Sequence, residues 1–398
     1  MAEWKLPERG VVWWPVGNGD AITVVIDADT VLQVDLNHRV VAEDEADNRV
    51  PVVDRLIEVL PIVDGCATLT VLAISHHDED HCSGFSYLLE HAVVEELWVT
   101  LRSFVEVEDG EELSDAAQAV YDETCRRRQA EIEAAQSSTR AAAGDRLRII
   151  GNADLLDNED WQGFPAELLT SAGGLVPTIN DVDRGDDISV FVHTPFRSDT
   201  EDNPSRNSSS MGIHISLPTE QSTPQRLLLL GDLEHEQIEA FVTKTEENEN
   251  DDFLTWDVLL APHHCSRNAV RTKDGDDWVD AQSADDLERY AADNAIVVVS
   301  ARSFEDIDDS DTDPPHVDAR EVYESIVGTE AVHTTSDYAK GSDSEPLTIT
   351  LDVDGTVTVL ETRSQVAARW RSVSAVTSAT EAIEPGEQFV RGGDRPFA

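Results

Sequence analysis

The chain has 398 residues with 81 acidic and 29 basic side chains, which gives a formal net charge of −52 at pH 7. Its hydrophobic residues, 40% of the total, occur in regular runs, so the composition excludes an intrinsically disordered chain. Only four of the basic residues are Lys, and we interpret this composition as adaptation to molar salt, where the screened charge says little about the ligand.

The predicted elements begin with three short β-strands, GVVWWPV, AITVVI and VLQVDL, which are followed by a helix within residues 50–60. The apolar run LTVLAIS is typical of a buried strand, and the helical run FSYLLEHAVV and the strand ELWVT come after it. Between LTVLAIS and the helix lies the loop SHHDEDHCSG. Three histidines and three acidic residues occupy six successive positions of this loop, His76 to His81.

Residues 111–136 are rich in Ala, Glu and Arg and predict a long helix, which we interpret as an insertion over about residues 111–143. Strand patterns resume at RLRII and continue through ISVFVHTP, GIHISL, RLLLLGD, WDVLLAPHH and AIVVVS, with helices between the later ones. LTITLDVDGTVTVL predicts a hairpin. The polar tail, residues 363–398, is predicted to be partly ordered, which leaves residues 1–362 as one domain.

No apolar segment follows the first residues and no run has membrane-spanning length, so we expect a cytoplasmic protein with no membrane partner. The four cysteines have no paired spacing, and reduced thiols are expected. Cys82 and Cys265 lie within polar motifs. Burial as small side chains is the favoured interpretation of both, and thiolate ligation or redox sensitivity is the alternative.

The charged loop contains the ligand types of a transition-metal site. Alternate residues of a tight loop point the same way, so His76, Asp78 and Asp80 can converge, and His81 turns back as the helix begins. Imidazole and carboxylate together favour zinc, manganese or iron over calcium. A solvated acidic loop is the alternative, and it is disfavoured because three of the 12 histidines lie here.

The spacing H-x-D-x-D-H resembles the H-x-H-x-D-H signature of the metallo-β-lactamase superfamily, in the variant carried by the hydrolase domain of the bacterial DNA-uptake channel family, ComEC. Other stretches resemble motifs of that family in the same order: VGNGDAITVVI, VLQVDLN, HTPFRSDTEDNPSRNSSS, LLLLGDLEHE, APHHCSRNA and DPPHVDAREVY. The resemblance extends from Val16 to about Leu360. It implies an α/β (α+β) fold, a four-layer αββα metallo-β-lactamase sandwich, to which the long inserted helix is added.

The resemblance also implies two divalent metal ions, zinc or manganese. The implied ligands are His76, Asp78 and Asn207 for the first ion, Asp80, His81 and His263 for the second, and Asp232 as the bridge. Asp35 would orient a ligand histidine. By the same resemblance, His263 is favoured over His264 as the ligand. Because Asp78 and Asn207 stand where histidine is usual, the first position has few nitrogen donors and is expected to be the weaker one.

The implied reaction is hydrolysis through a metal-bound hydroxide, with Asp80 among the catalytic residues and His264 or His316 as the proton donor to the leaving group. Arg126, Arg127 and Arg128 lie together in the long predicted helix. Ion pairing with surface acids is the somewhat favoured explanation for them. The alternatives are contact with the phosphates of a substrate and docking of a protein partner.

We therefore predict a binuclear metal-dependent hydrolase, a phosphodiesterase or nuclease acting on DNA or RNA. One alternative is a hydrolase of a small ester, thioester or phosphodiester metabolite. The other is a weakly catalytic, metal-bound subunit of a defence or uptake complex. These patterns do not predict the oligomeric state.

Overall fold

A computed structural model describes residues 4–39, 49–151, 159–201, 205–306, 312–339 and 345–360. The strands are Gly10–Trp13 (β1), Ala21–Val25 (β2), Val31–Leu36 (β3), Ile62–Val63 (β4), Cys66–Ile74 (β5), Ala92–Val99 (β6), Arg146–Ile150 (β7), Leu169–Thr170 (β8), Ser189–Thr194 (β9), Gly212–Leu217 (β10), Gln225–Leu229 (β11), Trp256–Leu260 (β12), Arg271–Asp274 (β13), Asp277–Asp280 (β14), Ala291–Val299 (β15), Val332–Thr334 (β16), Leu347–Leu351 (β17) and Val357–Leu360 (β18). The helices are Val52–Val59 (α1), Glu79–Cys82 (α2), Phe85–His91 (α3), Arg102–Glu108 (α4), Asp115–Gln136 (α5), Arg197–Glu201 (α6), His235–Glu247 (α7), Pro262–Cys265 (α8), Arg267–Val270 (α9), Gln282–Tyr290 (α10) and Val317–Val327 (α11). The predicted tail, residues 363–398, lies outside the described residues.

Most strands belong to two mixed sheets. The larger sheet has the order β18–β17–β1–β2–β3–β5–β6–β7–β8, with β4 paired to β5, and it is parallel from β3 to β8. The smaller sheet has the order β16–β15–β12–β11–β10–β9, and it is parallel from β11 to β16. Strands β13 and β14 form a separate hairpin.

Both sheets are buried on two faces, which explains why their central strands are continuous apolar runs. In β5, Val71 belongs to an apolar cluster that also contains Val258 of β12, so the two sheets pack against each other there. The neighbouring residue Leu72 points to the opposite face, where its cluster includes residues of α1, α3 and α5. Leu259 likewise joins a cluster with α7, α10 and α11. The chain is thus a mixed α/β protein with helices packed on both sheets.

The predicted strands and the long helix are present, with shifted boundaries. Helix α3 ends at His91, whereas the helical pattern continues to Val94; the β-branched end of that run instead forms the start of β6, with Ala92 opposite Ala67 of β5. Helix α5 begins at Asp115 because the Ser114 side chain accepts a hydrogen bond from the Ala117 N–H group. Over the described parts of the chain, no helix has both the length and the apolar character needed to cross a membrane.

The carboxyl ends of the parallel strands from both sheets meet at one edge. The N–H group of Met211, just before β10, donates to the carbonyl of Ser75, just after β5, at 2.9 Å. Strand β2 is antiparallel to β3 and pairs Ala21 with Leu36, so Asp20 also lies at this edge. Polar residues that follow β3, β5, β11, β12 and β15 are therefore brought together.

Candidate metal centre

The loop after β5 is fixed by a buried carboxylate at the end of β3. Asp35 accepts hydrogen bonds from the backbone N–H and the hydroxyl of Ser75, both at 2.6 Å. The His81 N–H group donates to the carbonyl of Asp78 at 2.9 Å, which starts α2 and turns His81 back towards the strand. The loop therefore delivers its histidines to the edge where the strands end.

Four potential ligand residues from three strand ends converge at this edge. Asp232 Oδ1 lies 3.2 Å from His81 Nε2 and 3.5 Å from His264 Nε2. Asp80 Oδ2 lies 3.4 Å from His264 Nε2, and Asp80 Oδ1 lies 4.0 Å from His81 Nε2. Tetrahedral ligands with bonds of about 2.0–2.1 Å are separated by roughly 3.3–3.4 Å. We call Asp80, His81, Asp232 and His264 the donor set. Asp80, His81 and His264 offer ligand atoms that lie within 4.8 Å of one another, and Asp232 forms further groups of this kind with His81 and with His264.

Several of these atoms are buried without a hydrogen-bond partner. They include Nε2 of His81 and His264 and Oδ1 of Asp232 in the donor set, and also Nε2 of His76 and Oδ1 of Asp20. Buried polar atoms nearly always have a partner, because leaving one unsatisfied costs about 1–3 kcal/mol. A bound cation would satisfy those that belong to the donor set, so these residues fit a divalent metal ion.

Hydrogen bonds on the opposite ring nitrogens favour one tautomer of His81 and of His76. His81 Nδ1 donates to Asp35 Oδ2 at 2.8 Å, and His264 Nδ1 lies 3.1 Å from the carbonyl of Ser300. His76 Nδ1 lies 3.1 Å from Ser75 Oγ, whose own hydroxyl donates to Asp35. With the proton on Nδ1, the Nε2 lone pairs of His76 and His81 are directed into the cluster, as metal ligation requires. His264 Nδ1 also accepts a hydrogen bond from the Gly19 N–H group at 3.3 Å, so its hydrogen bonds do not select one tautomer.

The electrostatics of the cluster favour positive charge. Burial lowers the pKa of His264, but the nearby carboxylates of Asp232 and Asp80 outweigh it and raise that pKa to about 9. His81 behaves alike: despite burial, Asp232 and Asp35 raise its pKa well above the ordinary value. Burial raises the pKa of Asp20 to about 6. Carboxylates outnumber nearby cations, so the cluster attracts either protons or a metal ion.

His264, not His263, contributes to the donor set. His263, His264 and Cys265 have left-handed backbone conformations, with φ of 50°, 53° and 66°. This turn directs the His264 ring at Asp80 and Asp232, whereas His263 Nε2 lies 3.5 Å from Asn207 Nδ2 and 3.7 Å from Asp232 Oδ2. The sequence favoured His263 as the ligand; the observed geometry favours its neighbour.

The first of the two predicted ion positions is less complete. His76 Nε2 lies 3.7 Å from Asp78 Oδ2 and 3.9 Å from Asp232 Oδ2. The other oxygen of Asp78 accepts a hydrogen bond from Arg206 Nη1 at 3.1 Å. His76 is also grouped with His81 and Asp232, since one ligand atom of each lies within 4.8 Å of the others. Asp78 is not part of any such group among the described residues.

Asp20 is a candidate ligand that the sequence analysis missed. Its carboxylate is buried, lies 3.7 Å from His264 Nδ1, and forms a candidate group with Asp232 and His264. The available signal was the turn G-N-G-D: a Cβ atom at Gly19 would lie 2.6 Å from the Asp80 carbonyl, so only glycine allows this close approach.

Three other residues of the polar motifs are engaged elsewhere. His316 Nδ1 accepts from the N–H group of Arg267 at 3.2 Å, and its Nε2 lies 3.2 Å from the carbonyl of Thr312, so both ring nitrogens have partners. Cys82 and Cys265 are buried, and burial raises the pKa of both thiols. Their protonated state agrees with the interpretation of both as small buried side chains.

The three consecutive arginines of α5 do not form a common exposed surface. Arg127 is 2% exposed, and its guanidinium donates to Glu123 and to the carbonyls of Arg146 and Val94. Arg126 donates to Glu123 and Asp145. The guanidinium of Arg128 lies over the rings of Phe104 and Trp161. These contacts match the ion-pairing interpretation and leave Arg127 unable to reach a substrate phosphate.

No protein-family model matches the chain, and no curated protein matches it. Among solved structures, the chain is similar to a metallo-β-lactamase, MIM-1, from Novosphingobium pentaromativorans. The two share 12% sequence identity with a TM-score of 0.27, covering 64% of this chain and 74% of that chain. A TM-score of this size does not define a shared fold.

Proposed function

We propose that the chain is a metal-dependent hydrolase with the four-layer metallo-β-lactamase fold and that its substrate is a phosphodiester, in DNA or RNA. The observation that carries the proposal is the donor set. Nε2 of His81, Nε2 of His264 and Oδ1 of Asp232 are buried without a hydrogen-bond partner, and Asp80 Oδ2 lies 3.4 Å from His264 Nε2. Two imidazoles and two carboxylates suit zinc, with manganese as the second choice. The phosphodiester is proposed from the resemblance of the sequence motifs to the ComEC-type hydrolase domain.

A bound divalent ion would supply Lewis acidity, which activates water and polarises the oxygen of the scissile ester. The residues of the chain contribute the rest. Asp35 keeps the His81 tautomer that leaves Nε2 free. The carbonyl of Ser300 and the N–H group of Gly19 hold the His264 ring from its Nδ1 side. Asp78 and Asp80 are about one-third exposed, so they mark the mouth through which a substrate would enter.

We assign proton transfer to the leaving group to His263. It adjoins Asp232 at 3.7 Å and is 19% exposed, whereas His264 is buried within the donor set and His316 has partners on both nitrogens. An imidazole at the mouth is placed to donate a proton as the leaving oxygen departs. Asp232 would hold the ring in place.

The adjacent histidines offer a matched pair of variants. The protein would be reconstituted with Zn²⁺ or Mn²⁺ in molar KCl, and the metal content measured by elemental analysis. His264→Ala should lose the ion, because one of the four donor atoms is gone. His263→Ala should retain the ion but hydrolyse bis(p-nitrophenyl) phosphate roughly 10²–10⁴-fold more slowly, which is the usual contribution of a general acid.

The substrate class is tested on the same preparations with plasmid DNA, RNA, bis(p-nitrophenyl) phosphate and p-nitrophenyl acetate. Hydrolysis of the phosphodiesters supports the proposal. Hydrolysis of the acetate alone favours the small-ester alternative. Metal binding without any turnover favours the weakly catalytic subunit. A wild-type protein that stays metal-free after reconstitution overturns the proposal.

A further inference from the structure

An arginine occupies the mouth of the cluster beside the first predicted ion position. Arg206 directly precedes Asn207, and its side chain is 30% exposed. Its Nη1 donates to Asp78 Oδ1 at 3.1 Å, and its Nε donates to Glu106 Oε1 at 2.9 Å and to Oε2 at 3.1 Å. The guanidinium therefore bridges two carboxylates, one of which is a predicted metal ligand.

The position of Arg206 is set by a buried anchor. Glu106, on α4, is 1% exposed and also accepts a hydrogen bond from Arg102 Nε at 3.1 Å. Its second oxygen lies 2.8 Å from His77 Nε2. A carboxylate held on three sides fixes the guanidinium that binds it, so Arg206 is a constant part of the site. This network also explains why His77, in the middle of the loop, does not join the donor set.

The first ion position differs from the donor set in both donors and charge. Among its predicted ligands, the one imidazole is that of His76. The carboxylate of Asp78 is already paired with the positively charged guanidinium of Arg206. A cation bound to the free oxygen of Asp78 would share that carboxylate with a guanidinium, and like charges at such short range repel. The donor set has no guanidinium in contact with any of its four residues in the described part of the chain.

We propose that Arg206 is a resident cation that takes the place of the first metal ion, so that the chain binds one divalent ion tightly, at the donor set, and a second one only weakly. This inference rests on the proposed metal-dependent function. The opposite role is physically distinct: by fixing the Asp78 carboxylate, Arg206 could pre-organise a ligand and strengthen the first position. The two roles predict affinity changes of opposite sign when the charge is removed.

The test is a titration of apo-protein with Zn²⁺ in molar KCl, by calorimetry and by equilibrium dialysis with elemental analysis. The wild type should bind one equivalent tightly. In Arg206→Gln, which removes the charge, the second equivalent should bind at least tenfold more tightly than in the wild type. Arg206→Lys, which keeps the charge, should behave like the wild type.

The matched control is Arg184→Gln. Arg184 is 25% exposed and also bridges two carboxylates, Asp27 at 3.0 Å and Asp187 at 3.6 Å, but Asp27 follows β2, at the end remote from Asp20. This variant should bind both equivalents of Zn²⁺ with the affinities of the wild type. Circular dichroism and the melting temperature verify that each variant folds.

Two results overturn the inference. One is a wild type that binds two equivalents of Zn²⁺ with similar affinity. The other is an Arg206→Gln variant that binds the second equivalent with the same affinity as the wild type or a lower one. If Arg206→Gln does not fold, the stoichiometry of the wild type decides by itself. A wild type that binds no ion at all refutes the proposed function instead, and two similar equivalents leave that function intact. The two failures are therefore distinguishable.

Discussion

Asp35 controls the tautomer of a histidine in the donor set, and replacing its carboxylate by an amide should weaken metal binding. Asp35 Oδ1 accepts from the Ser75 N–H group, and Oδ2 accepts from His81 Nδ1 and from the Ser75 hydroxyl. In Asp35→Asn the amide oxygen can keep the bond to the Ser75 backbone. The amide NH₂ then faces His81 Nδ1 as a donor, which moves the imidazole proton to Nε2, the nitrogen that points at Asp232.

The expected loss of metal affinity follows from this change of the His81 tautomer. Losing an outer partner of a metal-bound histidine usually lowers affinity 10–100-fold, which is about 1.4–2.7 kcal/mol. We expect the upper part of this range. The amide favours the wrong tautomer instead of merely removing a bond, and Asp35 is 1% exposed, so water cannot replace the lost acceptor.

The assay is a competition titration of Zn²⁺ between the protein and a chelating dye in molar KCl. Asp257→Asn serves as the matched control, because Asp257 accepts from the backbone and the guanidinium of Arg226 and contacts none of the donor set. Circular dichroism verifies the fold of both variants. If a folded Asp35→Asn protein binds Zn²⁺ within threefold of the wild type, the argument from the tautomer is wrong.

Three further predictions concern the whole chain. Because an excess of 52 negative charges repels when it is unscreened, dialysis from molar to millimolar salt should unfold the protein; an unchanged circular dichroism spectrum and melting temperature would show that it is not adapted to salt. Burial lowers the pKa of His193 to about 3 and that of His214 to about 4, while both titrate near 6.5 when unfolded. The unfolded state therefore takes up protons first, and stability should fall as the pH drops from about 6.5 towards 4, by about 1.4 kcal/mol per pH unit for each histidine; urea titrations should give a shallower pH dependence for His193→Gln. Buried Cys82 and Cys265 should resist iodoacetamide in the native protein while exposed Cys66 reacts, which mass spectrometry of peptides would report.

The sequence by itself determined the strands and the edge at which the polar loops gather. The run LTVLAIS predicts a strand buried on both faces, and β5 has that character because it lies in the parallel part of the larger sheet, covered on both sides. His76, Asp80 and His81 follow this strand, and Asp232 follows β11. Because β5 and β11 lie in different sheets, local pattern alone does not join Asp232 to the loop; the resemblance of the motifs predicted that link.

Only the tertiary structure decided which neighbouring side chain enters the site. His263 and His264 are adjacent, and a left-handed turn, which side-chain type does not predict, selects His264. Arg127 points inward because the carbonyls it binds come from β6 and β7, strands brought beside α5 by folding.

The position of the Arg206 charge at the mouth of the cluster also depends on the tertiary structure. Arg206 and Glu106 are 100 residues apart in the chain, and their contact depends on how the segment before β10 packs against α4. Spacing along the sequence reports which residues share one strand end or one loop. It does not report which side chains from distant segments neutralise one another, because that depends on the packing of the two sheets and their helices.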